Sequence, residues 1–406
     1  VSLSPQTDSV MDSNVGGFFG PFLKFSGFDA LELQGKSDKD LIIYIDGVNH
    51  KIEIFEDPGY SNDSHLLAEE LTEVFATDEK DYKNIGIVST GAAAGHSLIG
   101  MVNFTFYDSK RKKIRLKQAG RGGIGTVMRD KKIKAIVAKI DGVKGNLNNV
   151  VDLESIMERG RRFNREMRDL DDKQCNMRQI GTAHLMEIMD DHDLLPTHNY
   201  KFGSHKDSPR IDSGVWKSFF TQNIPDGCWI GCNMACAKAI DDYEITTGPY
   251  AGQKVIVDGP EYETAAGLGS NGGFFDPRYI IETNFYCDTY GICTITWGTS
   301  LAFIQECYEN GILNKERTGG LELTFGNIPP ALELLHQVSR GEGFGLIAGQ
   351  GIRRMKQIFA EKGWGDPQFL QDIGMENKGL EYSQYMSKES LAQQGGYAMT
   401  NKGPQH

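Results

Sequence analysis

No stretch of this sequence reaches the run of about 18 apolar residues that a membrane-spanning helix needs, and no charged-then-apolar leader opens it. Internal repeats and low-complexity tracts are missing as well. Positive charge is in deficit: 43 Lys and Arg stand against 55 Asp and Glu, a formal net charge of −12. That balance disfavours nucleic acid or an anionic membrane as the main partner, although one basic stretch lies around Lys110–Lys134. An even cysteine count is missing too. There are seven, and Cys228, Cys232 and Cys236 fall within nine residues of one another. This argues against a disulfide framework and for metal in a reducing compartment. A second Cys or His pair at finger-like spacing is absent, which disfavours zinc.

Glycine, by contrast, is plentiful, with 48 in 406 residues, and implies many close approaches of backbone to backbone or to a ligand. A chain of this length has room for two or three domains, each with its own core. At 39% hydrophobic and 24% charged residues it has ordinary globular usage.

Up to about Asp141 the pattern is strand-like, with β-rich runs at Asp40–Gly47, Lys51–Phe55, Asn84–Ser89 and Lys134–Ile140 separated by Gly, Asp and Asn. From about Leu147 the apolar residues recur at helical spacing, as in VVDLESIMERGRRFNREM, GTSLAFIQECYENGIL and GIRRMKQIFAEKG. The fold class expected is α+β: a β-rich domain over 1–146, a helical domain over 147–374 carrying the clustered cysteines, and the start of a third, helical domain over 375–406.

In CWIGCNMAC, steps of four place the three thiols along one helical stripe or around one loop-to-helix turn, where thiolates can converge on a metal. For an iron–sulfur cluster the fourth ligand would be Cys175, Cys287, Cys293, Cys307 or a residue past His406. The ordinary alternative is three small residues buried on a helix face. Gly120, Gly122 and Gly125 stand in G-x-G-x-x-G order with Asp141 downstream, as in a dinucleotide-binding fold. Only about seven residues separate Gly125 from the next strand, too few for the crossover helix of a parallel βαβ unit. What remains is a glycine loop with free amides, flanked by Arg121, Arg129, Lys131 and Lys132 and suited to phosphate. In DGPEYETAAGLGSN, Glu261 and Glu263 are two apart and on a strand would share a face, where one carboxyl can be tuned for proton transfer. CDTYGIC offers Asp288, Gly291 and Cys293 in D-x-x-G-[LI]-[CD] order, an acid and a backbone amide for the edge of a heterocycle.

Taken in order, these segments resemble the tungsten-pterin aldehyde:ferredoxin oxidoreductase family: SNVGGFFGPFLKFSGFDALELQGKS, AGRGGIGTVM with KIKAIV, LPTHNY, the cysteine cluster, DGPEYET, IIETNFYCDTYGIC and GYAMTNKGPQH. The likeness runs over essentially the whole chain. It implies a β-rich base under two helical domains, a tungsten (or molybdenum) bis-pterin, a 4Fe–4S cluster and Mg2+ bridging the pterin phosphates. Asn14, Gly16, Ala119, Gly120 and Arg121 are then expected to hold one pterin and the magnesium. Asp288, Gly291, Ile292 and Cys293 bind a pterin on the same reading, and Lys402 lies near it where the family has Arg. Cys228, Cys232 and Cys236 ligate the cluster, and Glu263 and His406 flank the metal as proton-handling groups. The resemblance further implies a cytoplasmic, oxygen-sensitive enzyme that oxidises an aldehyde to a carboxylic acid and passes electrons to ferredoxin or a ferredoxin-like subunit. Val1 would fall inside the first domain and His406 inside the third.

The sequence departs from the family in several places. The first cysteine spacing is C-x-x-x-C rather than C-x-x-C, and the second D-x-x-G-L-C motif is absent. The Glu-x-x-His that binds an interface iron reads ETNF, with Glu282 kept and Phe285 in the histidine's place, which leaves an oligomer without the family's bridging iron as the expectation. SKE (Ser387–Glu389) replaces PRG near the substrate pocket, so substrate choice is not inherited. Two other readings stay open: a low-potential tungsten-pterin reductase such as a dearomatising aryl-thioester reductase, and a non-catalytic iron–sulfur electron-transfer subunit.

Overall fold

The computed structural model describes residues 1–142, 150–170, 175–224, 226–229 and 231–405. Its N-terminal part is built on one six-stranded sheet: β1 (Leu41–Asp46), β2 (Lys51–Glu56), β3 (Ile85–Thr90), β4 (Val102–Asp108), β5 (Lys113–Ala119) and β6 (Ile133–Lys139). In space the order is β2-β1-β6-β3-β4-β5. The β1–β6 pair is parallel, and every other neighbouring pair is antiparallel.

Period-two alternation explains why both faces are covered. Ile43, Ile45, Ile136 and Ala138 point to one face, where they pack on Phe19 and Phe22 of α1 (Phe19–Phe25) and on Met128 of α3 (Ile124–Asp130). Ile42, Ala135 and Val137 point to the other, onto Leu67 and Leu71 of α2 (Ser64–Phe75). Helix α2 begins where the Asp63 carboxylate accepts from the His65 and Leu66 amides.

The glycine loop leads into the short, two-turn helix α3. It is still no dinucleotide fold. Strands β5 and β6 flank it in sequence but run antiparallel, with β3 and β4 lying between them in the sheet.

Helices dominate the rest: α4 (Leu153–Arg168), α5 (Tyr262–Leu268), α6 (Pro277–Tyr290), α7 (Thr294–Glu309), α8 (Ile328–Arg340) and α9 (Gly351–Glu361). Pro277 at the first turn and the Asp276 side chain on the Arg278 amide start α6, and Gly291 in a left-handed conformation stops it. Helices α5 and α7 touch through glycines: a Cβ on Gly298 would lie 2.5 Å from the Gly267 carbonyl oxygen. Helix α4 is different, having no buried residue. Among the described residues no helix is long and apolar enough to cross a membrane.

Two sequence expectations are corrected here. Residues 226–238, which carry the clustered cysteines, form neither a helical stripe nor a loop-to-helix turn; among the described residues they are irregular and run into a strand, Ala239–Glu244. Glu261 and Glu263 do not share a strand face, because Glu261 stands at the position just before α5 and Glu263 lies in its first turn, about 100° per residue replacing 180°.

Candidate cofactor site at the sheet edge

Five stretches of chain meet where β5 ends. Ala119 closes the strand opposite Val102, and Gly120 and Arg121 turn away from it. The Ser13 hydroxyl donates to the carbonyls of Gly120 (2.9 Å) and Arg121 (3.3 Å). A Cβ on Gly120 would lie 3.4 Å from the Cys293 sulfur, which brings the glycine loop onto the Asp288–Cys293 turn. That turn is pinned to the sheet by Met101 N–H donating to the Gly291 carbonyl at 2.8 Å and Asn103 Nδ2 donating to the Asp288 carbonyl at 3.2 Å. Gly291 has φ +69°, and a Cβ there would lie 2.7 Å from the Gly91 nitrogen. Ile292, buried, is core packing. Gly16 lies against the carbonyl of Cys228, and the Gly17 amide donates to that carbonyl at 2.6 Å. The expected pterin residues are thereby gathered into one region, apart from Asn14, which is exposed beside Ser13.

The basic side chains behave otherwise than expected. Arg121, in the left-handed region at φ 76° and buried, turns its guanidinium onto Ser383 Oγ and the carbonyls of Pro404 (2.9 Å) and Glu381. Its fork is therefore spent on binding the 381–404 segment over the glycine loop rather than on a phosphate. Lys402 pairs with Asp12 at 2.6 Å. The cation that sequence reasoning missed is Lys117, one turn of strand before Ala119. It forms a buried pair with Asp258, which also accepts from Arg115 at 2.7 Å. Nothing local in the sequence marks that pair, since its members are 141 residues apart.

Asp288 is buried, and desolvation together with the charge of Asp258 raises its carboxyl well above the usual carboxylate range. Glu263 accepts from the Gln384 amide at 2.9 Å, next to Arg121's partner Ser383. Tyr200, Tyr262, Tyr385 and Tyr397 surround it closely enough for its charge to raise each phenol further above what burial alone does. Glu261 is turned elsewhere, onto the Thr182 hydroxyl. His406 lies outside the described residues.

The region suits a flat polar group. Buried and without a protein partner are Gln118 Nε2, Asn103 Oδ1 and Arg121 Nε, and orphaned polar atoms of this kind are costly unless something else meets them. The glycine loop and the Asp288 turn therefore fit a pterin, whereas the Arg121 fork as placed does not serve a phosphate.

All seven cysteines are free. Burial pushes the Cys228 and Cys236 thiols up, Cys228 also feeling Cys232, and Cys236 feeling Glu261, Cys228 and Cys232. Cys232 is exposed, Cys175 half-buried, and Cys287 and Cys307 buried. Among the described residues no three His, Cys, Asp or Glu side chains are drawn together at ion-binding distance. Phe285 stacks on His65 with ring centroids 5.1 Å apart, and Glu282 accepts from the amides and hydroxyls of Thr246 and Thr247.

Residues 1–140 match the profile of the aldehyde ferredoxin oxidoreductase N-terminal domain, and residues 158–406 that of domains 2 and 3. The chain belongs to the aldehyde ferredoxin oxidoreductase family. Among its relatives, the tungsten-containing aldehyde ferredoxin oxidoreductase of Pyrococcus horikoshii is 31% identical over the whole chain, and that of Pyrococcus furiosus 30%. The chain spans 61% of the length of each. A subunit named as the WOR-like subunit of an aliphatic sulfonate oxidoreductase from Pyrococcus furiosus is 30% identical over 87% of this chain and 54% of its own. In fold, the active-site complex BamBC of benzoyl coenzyme A reductase is similar, with TM-score 0.69 over 94% of this chain and 54% of that one, at 21% identity.

Proposed function

We propose that this chain forms the catalytic part of a tungsten-dependent oxidoreductase that oxidises an aldehyde to a carboxylic acid. Its electrons would leave through a 4Fe–4S cluster to ferredoxin or a ferredoxin-like subunit. The observation that carries this reading is the meeting of the glycine loop, the Asp288–Cys293 turn and the 381–404 segment, with Glu263 one hydrogen bond from the last of these.

When bound, a tungsten bis-pterin supplies the two-electron redox chemistry. This chain's contribution is positioning and proton handling. Asn14, Gly16, Ala119 and Gly120 would hold one pterin and the magnesium. Asp288, Gly291, Ile292 and Cys293 would hold the edge of a pterin. Arg121 closes the third segment over the loop, and Lys402, paired with Asp12, tethers its end. Glu263, among four tyrosines and accepting from the Gln384 amide, would take a proton from water or from the aldehyde hydrate; His406 is the second proposed proton-handling group. Cys228, Cys232 and Cys236 would supply three cluster ligands. Residues 1–146, 147–374 and 375–406 are proposed as the base, the helical domain and the start of the third.

Metal analysis of anaerobically purified full-length protein, paired with aldehyde-dependent viologen reduction, tests this. Tungsten with turnover is expected. Iron alone would instead make it an electron-transfer subunit, and turnover of an aryl thioester with none of aldehydes would make it a reductase, the reading that shares this fold. Glu263→Gln should lower kcat by about 10²- to 10⁴-fold with tungsten and iron content unchanged. Near-normal turnover would remove Glu263 from the mechanism.

A further inference from the structure

Three consecutive residues of the LPTHNY segment, His198, Asn199 and Tyr200, stand in the left-handed region at φ 49°, 56° and 62°. Residues other than glycine enter it singly and at a cost, a bulky tyrosine least readily. The surrounding structure over-determines the turn. The His198 amide donates to the Ser270 carbonyl (3.2 Å), the Asn199 amide to the Asn271 carbonyl (2.9 Å) and the Tyr200 amide to Asn271 Oδ1 (3.1 Å). Asn199 Nδ2 donates to Glu306 of α7 at 2.6 Å, and Lys201 pairs with the same carboxylate at 3.0 Å. Strain held in place this way clusters where a side chain has to be aimed. Here it aims the buried phenol of Tyr200, whose hydroxyl lies 2.9 Å from the Ser383 carbonyl and 3.0 Å from that of Tyr382.

The Ser383 carbonyl belongs to the same peptide group as the Gln384 N–H, and that N–H donates to Glu263 Oε2 at 2.9 Å. A trans peptide is planar, with its C=O and N–H on opposite sides, so Tyr200 and Glu263 hold one rigid plane from its two ends. The N–H cannot swing off Glu263 without taking the carbonyl off Tyr200. A donor on the carbonyl also polarises the N–H across the plane and strengthens the bond it makes. The carbonyl's other donor, the Tyr385 amide at 2.8 Å, comes from the same segment and moves with it, whereas Tyr200 ties it to the body of the fold. The Tyr382 carbonyl has Thr299 as a second donor at 3.2 Å, so the bond that depends on Tyr200 is the one to Ser383. The next peptide is held as well: the Tyr262 hydroxyl donates to the Gln384 carbonyl at 2.7 Å, and the Gln384 side chain donates to Thr299 Oγ1 at 2.8 Å.

We propose that Tyr200 is a positioning residue for Glu263, acting through the Ser383–Gln384 peptide group. The inference rests on the proposed function for the proton-transfer role it gives Glu263. Tyr200 itself neither gains nor loses a proton; it fixes the direction from which the carboxylate receives its amide. Tyr200 and Ser383 are 183 residues apart, and Glu263 and Gln384 are 121 apart, so the coupling exists only in the folded chain.

The test uses the anaerobically purified full-length holoenzyme, with benzaldehyde and acetaldehyde as substrates and viologen as acceptor. Tyr200→Phe keeps the ring and removes the donor. It should lower kcat about threefold to tenfold, the worth of one hydrogen bond, and leave KM within about twofold of wild type. In a Glu263→Gln background the same change should lower the remaining kcat by less than about twofold, because a residue that acts through Glu263 has nothing further to lose there. Hydrogen exchange at the Gln384 amide, read by mass spectrometry on the protein without substrate, should be about threefold faster or more in Tyr200→Phe. Equal losses of kcat in the two backgrounds overturn the proposal and leave Tyr200 a purely structural residue, and unchanged exchange at Gln384 overturns it too. If Tyr200→Phe does not fold, 3-fluorotyrosine at that position keeps the bond with a more acidic phenol and should slow exchange at Gln384; exchange equal to wild type counts against the proposal in the same way. A wild-type protein that oxidises neither aldehyde, with faster Gln384 exchange in Tyr200→Phe, sinks the proposed activity and leaves the coupling of Tyr200 to Glu263 standing.

Discussion

Glu381 joins three distant segments through one side chain. Its carboxylate accepts from Gln6 Nε2 (3.0 Å) and from the Ile352 amide at the start of α9 (3.0 Å), while its backbone carbonyl receives Arg121. Burial raises its pKa from 4.5 to about 7. A raised folded-state value means that the native protein binds the proton more tightly than the unfolded chain does. The stabilisation is complete below pH 4.5 and is lost as pH rises through 7. A shift of that size corresponds to about 3 kcal/mol between the two limits. Glu381→Gln, which keeps an acceptor for Ile352 N–H, should remove that slope, so that its urea midpoint falls less than wild type's between mildly acid and mildly alkaline buffer. Parallel midpoints for the two proteins would show that Glu381 titrates normally.

At the scale of elements, the turn that ends α6 does two tasks at once, stopping the helix and laying backbone on the sheet. Gly291 adopts φ +69°, and a Cβ there would lie 2.7 Å from the Gly91 nitrogen, which is backbone and cannot rotate aside. Gly311 has nearly the same φ, +72°, with nothing within 4 Å. Gly311→Ala should therefore cost only the conformational penalty, about 1 kcal/mol, and Gly291→Ala clearly more, about 2 kcal/mol or above, because the overlap adds to it. Thermal melting of the pair checks this, and equal losses would mean that the Gly91 contact relaxes freely. The strands and long helices around this turn were legible from periodicity alone: Lys51–Glu56, Ile85–Thr90 and Gly351–Glu361 all fall within a residue or two of where alternation or helical spacing puts them. The stretch around Cys228–Cys236 was not, since its steps of four imitate a helical stripe while its backbone is irregular.

Across the whole molecule, the sheet is fastened to the helical part by charge. Arg111 and Arg115, on and beside the β4–β5 hairpin, meet Asp108 from the same hairpin and Asp226, Asp241 and Asp258 from beyond residue 220. Both arginines and Asp226 are nearly inaccessible. Removing one partner from such a network strands the others' charges in a low dielectric, so Arg115→Ala should destabilise by about 3–5 kcal/mol. Calorimetry on the intact protein would show it, and a loss below 1 kcal/mol would mean that water reaches the aspartates. Because Asp258 also holds Lys117 beneath the glycine loop, the same substitution should loosen the candidate site.

Several things followed from the sequence by itself. Alternation and helical spacing are local properties of the chain, so the α+β class and most long elements could be read directly. The spacing of the glycine loop, the Asp288–Cys293 motif and the three cysteines carried the family resemblance. Only the tertiary structure decided what each polar side chain faces. It turned Arg121 onto carbonyls more than 250 residues away, split Glu261 from Glu263 at a helix start, paired Lys117 with Asp258, and stacked His65 on Phe285. A side chain's partner is fixed by which distant segments fold beside it and by how little water remains between them, and neither is written in the residues next to it.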